Sequence, residues 1–448
     1  MKSKFYYAMF IACAVAGISL AGCSNDKGDP RNQETEGKQT FMTVSLTFPK
    51  GETRATADPN ATEGEAGIKT VDVFIYTGSG YFLSHTALTA SDFTQAASGS
   101  NEDKYTYSAA SKIETTTGSR SVFVGINLPA DLVAELNNKP MSELSTAVRT
   151  LSREQMTTVA NGLPMFSTEG VQSVFVEDDT DAANNITVKV QRLVAKITVS
   201  KSATMEQSGV DGKLGNITFA VNNFNLKSFL IQGEDPYKDP NWAVGSYAAG
   251  DFSQAITTDY VEVLDLAAIS NPGVDDYFPR YASENTSEGK TKKEITRVTV
   301  RATFIPENIY VDDQAGSYKT STATLEGITA PRTFWSVTPV IGGPSAYFFD
   351  EAVAQLYSED NSDAEIVTFA SGYCYWDMFL NKPGTTDKWD VLRNDYYKCN
   401  ITRMVAPGKP TPDVYPPDAT PDDNTSITVS VDVLFWNTPV LADYELEP

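Results

Sequence analysis

The chain has 448 residues, 41% of them hydrophobic and 11% aromatic, and a formal net charge of −23. That length holds two or three domains with their own cores, and the apolar content excludes wholesale disorder. So acidic a surface repels phosphate, which excludes nucleic acid as a natural partner.

Lys2 and Lys4 precede an apolar run over residues 5–20 that ends in Leu20-Ala21-Gly22-Cys23. A basic start, a short apolar run and small residues before a cut site predict a secretory signal over 1–22, too short to persist as a membrane span. A cysteine directly after Leu-Ala-Gly is the bacterial lipobox pattern: cleavage falls between Gly22 and Cys23, and the Cys23 thiol is acylated. An ordinary signal peptide with an incidental cysteine is the plainer alternative. Several acyl chains, at about 0.8 kcal/mol per buried methylene, anchor stably where one does not. The expected product is a lipoprotein tethered to a membrane outside the cytoplasm.

Residues 26–40 are polar, as a tether would be. Met42, Val44, Leu46 and Phe48 then alternate with Thr43, Ser45 and Thr47, the period of a half-buried strand. Pro49-Lys50-Gly51-Glu52-Thr53-Arg54-Ala55-Thr56-Ala57 follows, a basic site among small and polar residues of the kind proteases cut. A cut between Arg54 and Ala55 would separate the anchor and this strand from the remainder, making 23–54 a lipidated propeptide.

From residue 67 the pattern is mainly β. Strands are predicted over 68–76 and 81–88, joined by a turn at Gly78-Ser79-Gly80, and over 105–108, 121–127, 186–190 and 193–199. Helices are predicted over 131–136 and, behind Pro140, over 141–151. The polar stretch 201–215 reads as a boundary near residue 205. Beyond it, strands are predicted over 217–221, 229–232, 260–266, 297–304, 366–370, 373–380, 396–404 and 426–434. A short helix over 351–357 has Asp350 placed to cap it, and the proline-rich 407–421 is a connector. This organisation implies two tandem β-sandwich domains, 55–204 and 205–436, with a few short helices. In the tail, 437–448, Val440, Ala442, Tyr444 and Leu446 alternate again after Pro439. Such an end is either a last edge strand or a strand meant for another molecule.

Little in the chain points to chemistry. His85 is the one histidine; it lies in a strand-like run with no nucleophile-elbow pattern beside it. Zinc would need ligands that this chain lacks. Glu177-Asp178-Asp179-Thr180-Asp181 lacks the ligand spacing of a calcium loop and reads as a solvated turn. No enzyme activity, metal or cofactor is expected. Cys374 and Cys399 remain once Cys13 leaves with the signal and Cys23 carries lipid. An oxidising compartment allows a disulfide between them, and two buried thiols are the alternative.

Several blocks in order resemble the fimbrillins of Bacteroidetes, subunits of the type V pili, and most closely the branch that builds the minor fimbrium. They are the lipobox, the strand followed by Arg54-Ala55, Leu163-Pro164-Met165-Phe166, and Gln191-Arg192-Leu193-Val194-Ala195-Lys196-Ile197. Ser283-Glu284-Asn285-Thr286, Gly372-Tyr373-Cys374-Tyr375-Trp376, Leu392-Arg393-Asn394-Asp395-Tyr396-Tyr397 and the closing alternation at Val429, Val431, Val433 and Trp436 complete the series.

The resemblance implies transthyretin-like sandwiches and an outer-membrane lipoprotein precursor that becomes part of a cell-surface fimbrium. It implies that an Arg-specific surface protease cuts at Arg54. The displaced strand carrying Met42, Val44, Leu46 and Phe48 then leaves a groove for a donor strand from the next copy, here Val440, Ala442, Tyr444 and Leu446. Other copies of the chain in a filament, with anchor and tip subunits, are the implied partners, and adhesion the implied role. An anchor or tip subunit is one alternative. A glycan-binding surface lipoprotein using Trp242 or Trp389 is the other.

Overall fold

A computed structural model describes residues 37–48, 65, 67–95, 106–146, 148–157, 162–168, 172–177, 184–232, 237–241, 252–253, 255, 257–266, 278–287, 290–322, 331–380, 389–412 and 427–435. Gly22 and Cys23, the Arg54–Ala55 bond, Trp242 and the tail with Val440, Ala442, Tyr444 and Leu446 lie outside the described residues. The described chain is mainly β.

The first half opens with β1 (Gln39–Thr47), β2 (Thr70–Thr77), β3 (Phe82–Thr89), β4 (Phe93–Gln95), β5 (Thr106–Ala109), β6 (Ile113–Thr116) and β7 (Gly118–Ile126). Helices α1 (Ala130–Leu136), α2 (Met141–Thr146) and α3 (Arg153–Thr157) follow, with β8 (Val148–Thr150) between the last two. Then come β9 (Met165–Ser167), β10 (Gln172–Val176) and β11 (Asn185–Arg192). The sheet runs β3-β2-β7-β9-β11-β1-β5-β4, with β10 also on β7 and β6 also on β1.

β2 and β7 are apolar on both faces because both faces are covered. Val71, Val73, Ile75, Val122, Val124 and Ile126 belong to one core. Phe74, Tyr76 and Phe123 belong to another, which continues into the second half. The helix expected over 141–151 stops at Thr146. Its last residues form β8, which pairs with Lys227–Phe229 of the second half; that tertiary ladder overrides the local helical period.

The second half has β12 (Val194–Gly209), β13 (Gly212–Asn222), β14 (Phe224–Asn225), β15 (Lys227–Phe229), β16 (Phe252–Ser253), β17 (Val261–Glu262), β18 (Leu264–Asp265) and β19 (Arg280–Ser283). It continues through β20 (Arg297–Pro306), β21 (Asn308–Asp312), β22 (Tyr318–Thr322), β23 (Phe334–Val337), β24 (Ala346–Phe348), α4 (Glu351–Asp360), β25 (Ile366–Phe369), β26 (Tyr373–Phe379), β27 (Asp395–Ala406) and β28 (Ile427–Phe435). One sheet runs β18-β12-β27-β28 with β19 on β12, and another runs β17-β13-β20-β26. Their buried side chains, among them Ile197, Val199, Val298, Val300 and Trp376, share one core.

Residue 205, where a boundary was expected, lies inside β12. The stretch is polar because the far half of β12 is exposed while still paired, Glu206 to Gly209 lying beside Arg403 to Ala406. The first sheet instead ends with β11 at Arg192. A further sheet, β22-β21-β24-β23-β25, is inserted between β20 and β26, which pair with each other. It has its own small core under α4, including Val337, Phe348 and Val353. Asp350 caps α4 as expected, its Oδ1 accepting from the Ala352 N–H at 2.9 Å.

Cys374 on β26 and Cys399 on β27 are both buried, with no disulfide between them. The two strands are not neighbours, because they belong to different sheets.

Candidate functional site: the first strand and its slot

β1 has a neighbour along each edge. On one side it runs antiparallel to β6 and then β5, with Met42 opposite Ile113 and Ser45 opposite Ser108. The register jumps between them, where Ala110, Ser111 and Lys112 bulge from the partner. On the other side, Thr43 to Thr47 run parallel to Asn185 to Lys189 of β11. Met42, Val44, Leu46 and Phe48 are 1%, 0%, 0% and 6% exposed. They share a core with Phe93, Ile113, Ile186, Val188 and Val190. Burying each large apolar side chain contributes roughly 1.5–3 kcal/mol.

The opposite face is less open than the alternation predicts. Ser45 is buried, so its hydroxyl needs partners. It lies 3.0 Å from the Ser108 hydroxyl and donates to Asn185 Oδ1 at 3.2 Å, one neighbour on each side. Asn184 clamps the start of the parallel pair. Its Nδ2 donates to Phe41 O at 2.9 Å, and its carbonyl accepts from the Thr43 N–H at 3.0 Å. The Thr40 hydroxyl donates to Glu177 O at 3.1 Å. Asp92 steadies the bulge, accepting from the Ser111 hydroxyl at 2.9 Å and, through its carbonyl, from the Ala110 N–H at 2.8 Å.

Withdrawing β1 would leave the edges of β5, β6 and β11 unpaired above an apolar trough. A separate strand with the same inward pattern and direction could make the same bonds. That is a binding geometry, not a catalytic one. His85, 2.8 Å from Asp72 through Nε2 and stacked on Phe74 with centroids 4.9 Å apart, is a structural pair in the sheet. Burial raises the Asp72 carboxyl, with His85 opposing. Burial pushes the Cys374 thiol up to about 12, which leaves it unreactive. Trp389 is half-buried.

Downstream of the slot, Glu65 is wholly buried. It accepts from Lys196 Nζ at 2.8 Å and from the Tyr281 hydroxyl at 2.6 Å. Lys196 stands in register with Tyr281 on β19 and Tyr396 on β27, and its Nζ lies 5.0 Å from the centre of the Tyr396 ring. Arg192 is fully buried beside them; burial lowers its guanidinium to about 10, with the Glu65 charge opposing. Burial, then the charge and hydrogen bond of Glu65, raise the Tyr281 phenol. The sequence reading missed Glu65; the signal for its partners was Arg192 and Lys196 inside an apolar run.

Two other sequence blocks meet in space. Asn285 and Val391 exchange backbone hydrogen bonds at 2.8 and 2.9 Å, and Arg393 Nη2 donates to Glu284 Oε2 at 3.1 Å. Beside them the Lys290 ammonium lies 2.7 Å from both Asp239 Oδ2 and Asn285 Oδ1. These charges organise the second half and touch no trough.

Residues 42–209 match the family profile described as the major fimbrial subunit protein FimA, a match that begins inside β1. Residues 367–440 match that described as the C-terminal part of fimbrillin, major fimbrial subunit protein type IV. A minor fimbrium subunit, Mfa1 of Porphyromonas gingivalis, is 21% identical over 452 residues, covering 88% of this chain and 85% of that protein. Among solved structures, the fimbrillin FimA of Porphyromonas gingivalis is 16% identical and covers 90% of this chain and 99% of its own, with a TM-score of 0.48. The tip fimbrial protein Mfa3 of the same organism is 16% identical and covers 89% of this chain and 100% of its own, with a TM-score of 0.39. The chain belongs to the fimbrillin family of Bacteroidetes fimbrial subunits and is similar over most of its length to a minor fimbrium subunit.

Proposed function

We propose that this structural fimbrial subunit is exported as a lipoprotein acylated at Cys23, cut after Arg54 and polymerised by exchange of its first strand. The observation that carries the reading is β1 itself. Met42, Val44 and Leu46 on β1 and Phe48 just after it are buried, β1 is paired on both edges, and it lies at the upstream end of the described chain. A cut in the following segment would leave β1 held by non-covalent contacts alone. The tail strand of the next copy, through Val440, Ala442, Tyr444 and Leu446, then takes its place, antiparallel to β5 and β6 and parallel to β11. Donor and acceptor surfaces differ, so the contact is heterologous and grows a filament rather than closing a dimer. The two halves are read as tandem sandwiches of the transthyretin-like kind, the first carrying the slot. The fibre serves adhesion at the cell surface, and anchor and tip subunits of related build accompany it.

The test is N-terminal sequencing of purified fibres together with an Arg54→Ala variant. Fibres beginning at Ala55, and a variant that stays monomeric and membrane-bound, are expected. Fibres whose bulk subunit begins with acylated Cys23 overturn the reading.

A further inference from the structure

Glu65 is a buried carboxylate eleven positions beyond Arg54, and its hydrogen-bond partners Lys196 and Tyr281 lie on β12 and β19 of the second half, with Arg192 at the end of β11 in the same field. Two residues later the chain is held by the first half instead. Asn127 Oδ1 accepts from the Lys69 N–H at 2.8 Å and the Thr70 N–H at 3.3 Å, and Asn127 Nδ2 donates to Gly67 O at 2.8 Å. Glu65 and residues 67–70 are therefore fastening points of a strap, held first to the row Tyr281–Lys196–Tyr396 and then to the sheet that contains the slot. In the uncut chain this strap has a second support upstream, because Phe48 is buried in the first core. Once the intervening segment is cut, the strap becomes a chain end, and chain ends fray unless tied down.

We propose that Glu65 is the latch that stops fraying at the new N-terminal arm after β1 leaves, so that the empty slot keeps its floor. The need is specific. β2 begins five residues after Glu65, and Val71, Val73 and Ile75 lie in the same core as Met42, Val44 and Leu46. If fraying reached β2, the trough awaiting a donor strand would lose part of its floor. A buried carboxylate suits the task because pulling it away from Lys196 breaks a buried ion pair, which is strongly unfavourable and makes peeling past residue 65 a step rather than a slope. Arg192, the last residue of β11, sits in the same field. The parallel partner of β1 thus ends at the latch.

The inference rests on the reading that the chain is cut upstream, but not on which bond is cut. The test therefore places the recognition sequence of a sequence-specific endoprotease within residues 55–61 of the unlipidated chain and follows amide exchange in the peptide spanning 65–73, before and after cutting. In the parent chain, cutting should leave protection within about threefold. Glu65→Gln, which leaves Lys196 facing a neutral amide, should lose some protection already when uncut and about tenfold or more beyond that when cut. Equal protection in cut parent and cut variant overturns the latch. So does an equal loss before cutting, which would mark Glu65 as ordinary packing. If Glu65→Gln fails to fold, Tyr281→Phe, which removes one hydrogen bond and keeps the ion pair, carries the same two outcomes. Failure of the Arg54 reading would appear only in the N-termini of natural fibres and would leave this result standing.

Discussion

Val44 and Ile186 stand side by side in a parallel ladder, which places the first described strand beside the last strand of its sheet. Parallel neighbours need a long connection between them, and here the connection is the rest of the sheet. β1 is thus the strand that joins β5 and β4, through β11, to the rest of the sheet.

The two faces of β1 should respond differently to substitution. Leu46→Ala should destabilise the uncut chain by about 2–5 kcal/mol through loss of buried contacts. Phe41, 46% exposed, should accept Ser within about 0.5 kcal/mol. Urea unfolding of the two variants checks the contrast, and equal effects would mean that β1 is not seated as described.

The tail is predicted to act between copies rather than within one. Deleting residues 440–448 should abolish fibre growth by cleaved subunits while leaving the Tm of the uncut chain unchanged. Fibres of normal length from the truncated chain, seen by negative-stain microscopy, would transfer the donor role to β28, the edge strand paired with β27.

Lys290→Met should destabilise the second half by roughly 3–5 kcal/mol, because it strands Asp239 in a buried site. Replacing Lys290 and Asp239 together by apolar residues should recover much of that loss. Chemical denaturation followed by the fluorescence of Trp376, buried in that half, reports on both.

Acid should loosen the corner beside the slot. The backbone N–H of Thr89, then the hydroxyls of Ser111 and Thr89, hold the Asp92 carboxyl below its ordinary value of 3.8. A depressed carboxylate stabilises the fold above its unfolded pKa, and this stabilisation is lost as pH falls through the lower folded value. The Tm gap between the parent and Asp92→Asn should be full at pH 6 and close below about pH 3.8. A gap constant with pH would show that the carboxylate charge contributes nothing.

Much of the fold was legible because strand and helix periods are local. The inward set of β1, the turn at Gly78 to Gly80, most strands of the second half and the Asp350 cap all follow from spacing and side-chain chemistry within a dozen residues. The sheet β21 to β25 was largely invisible, since strands such as Ala346–Phe348 are too short to show a period. The exposed far half of β12 looked like a linker because solvent-facing strand and loop share a polar composition. Glu65 carried no signal at all: nothing near it in sequence shows that a lysine and a tyrosine from two distant strands will enclose it.

The sequence by itself determined that one strand precedes a polar segment carrying Arg54, and that Met42, Val44, Leu46 and Phe48 point inward, because a period of two is a property of a single extended chain. Only the tertiary structure decided that this strand lies parallel to β11, that Ser45 bridges both neighbours, and that Glu65 is bound by Lys196 and Tyr281. Register and buried charge pairing are set by contacts between residues far apart in the chain, and their energy exists only once both partners have left water.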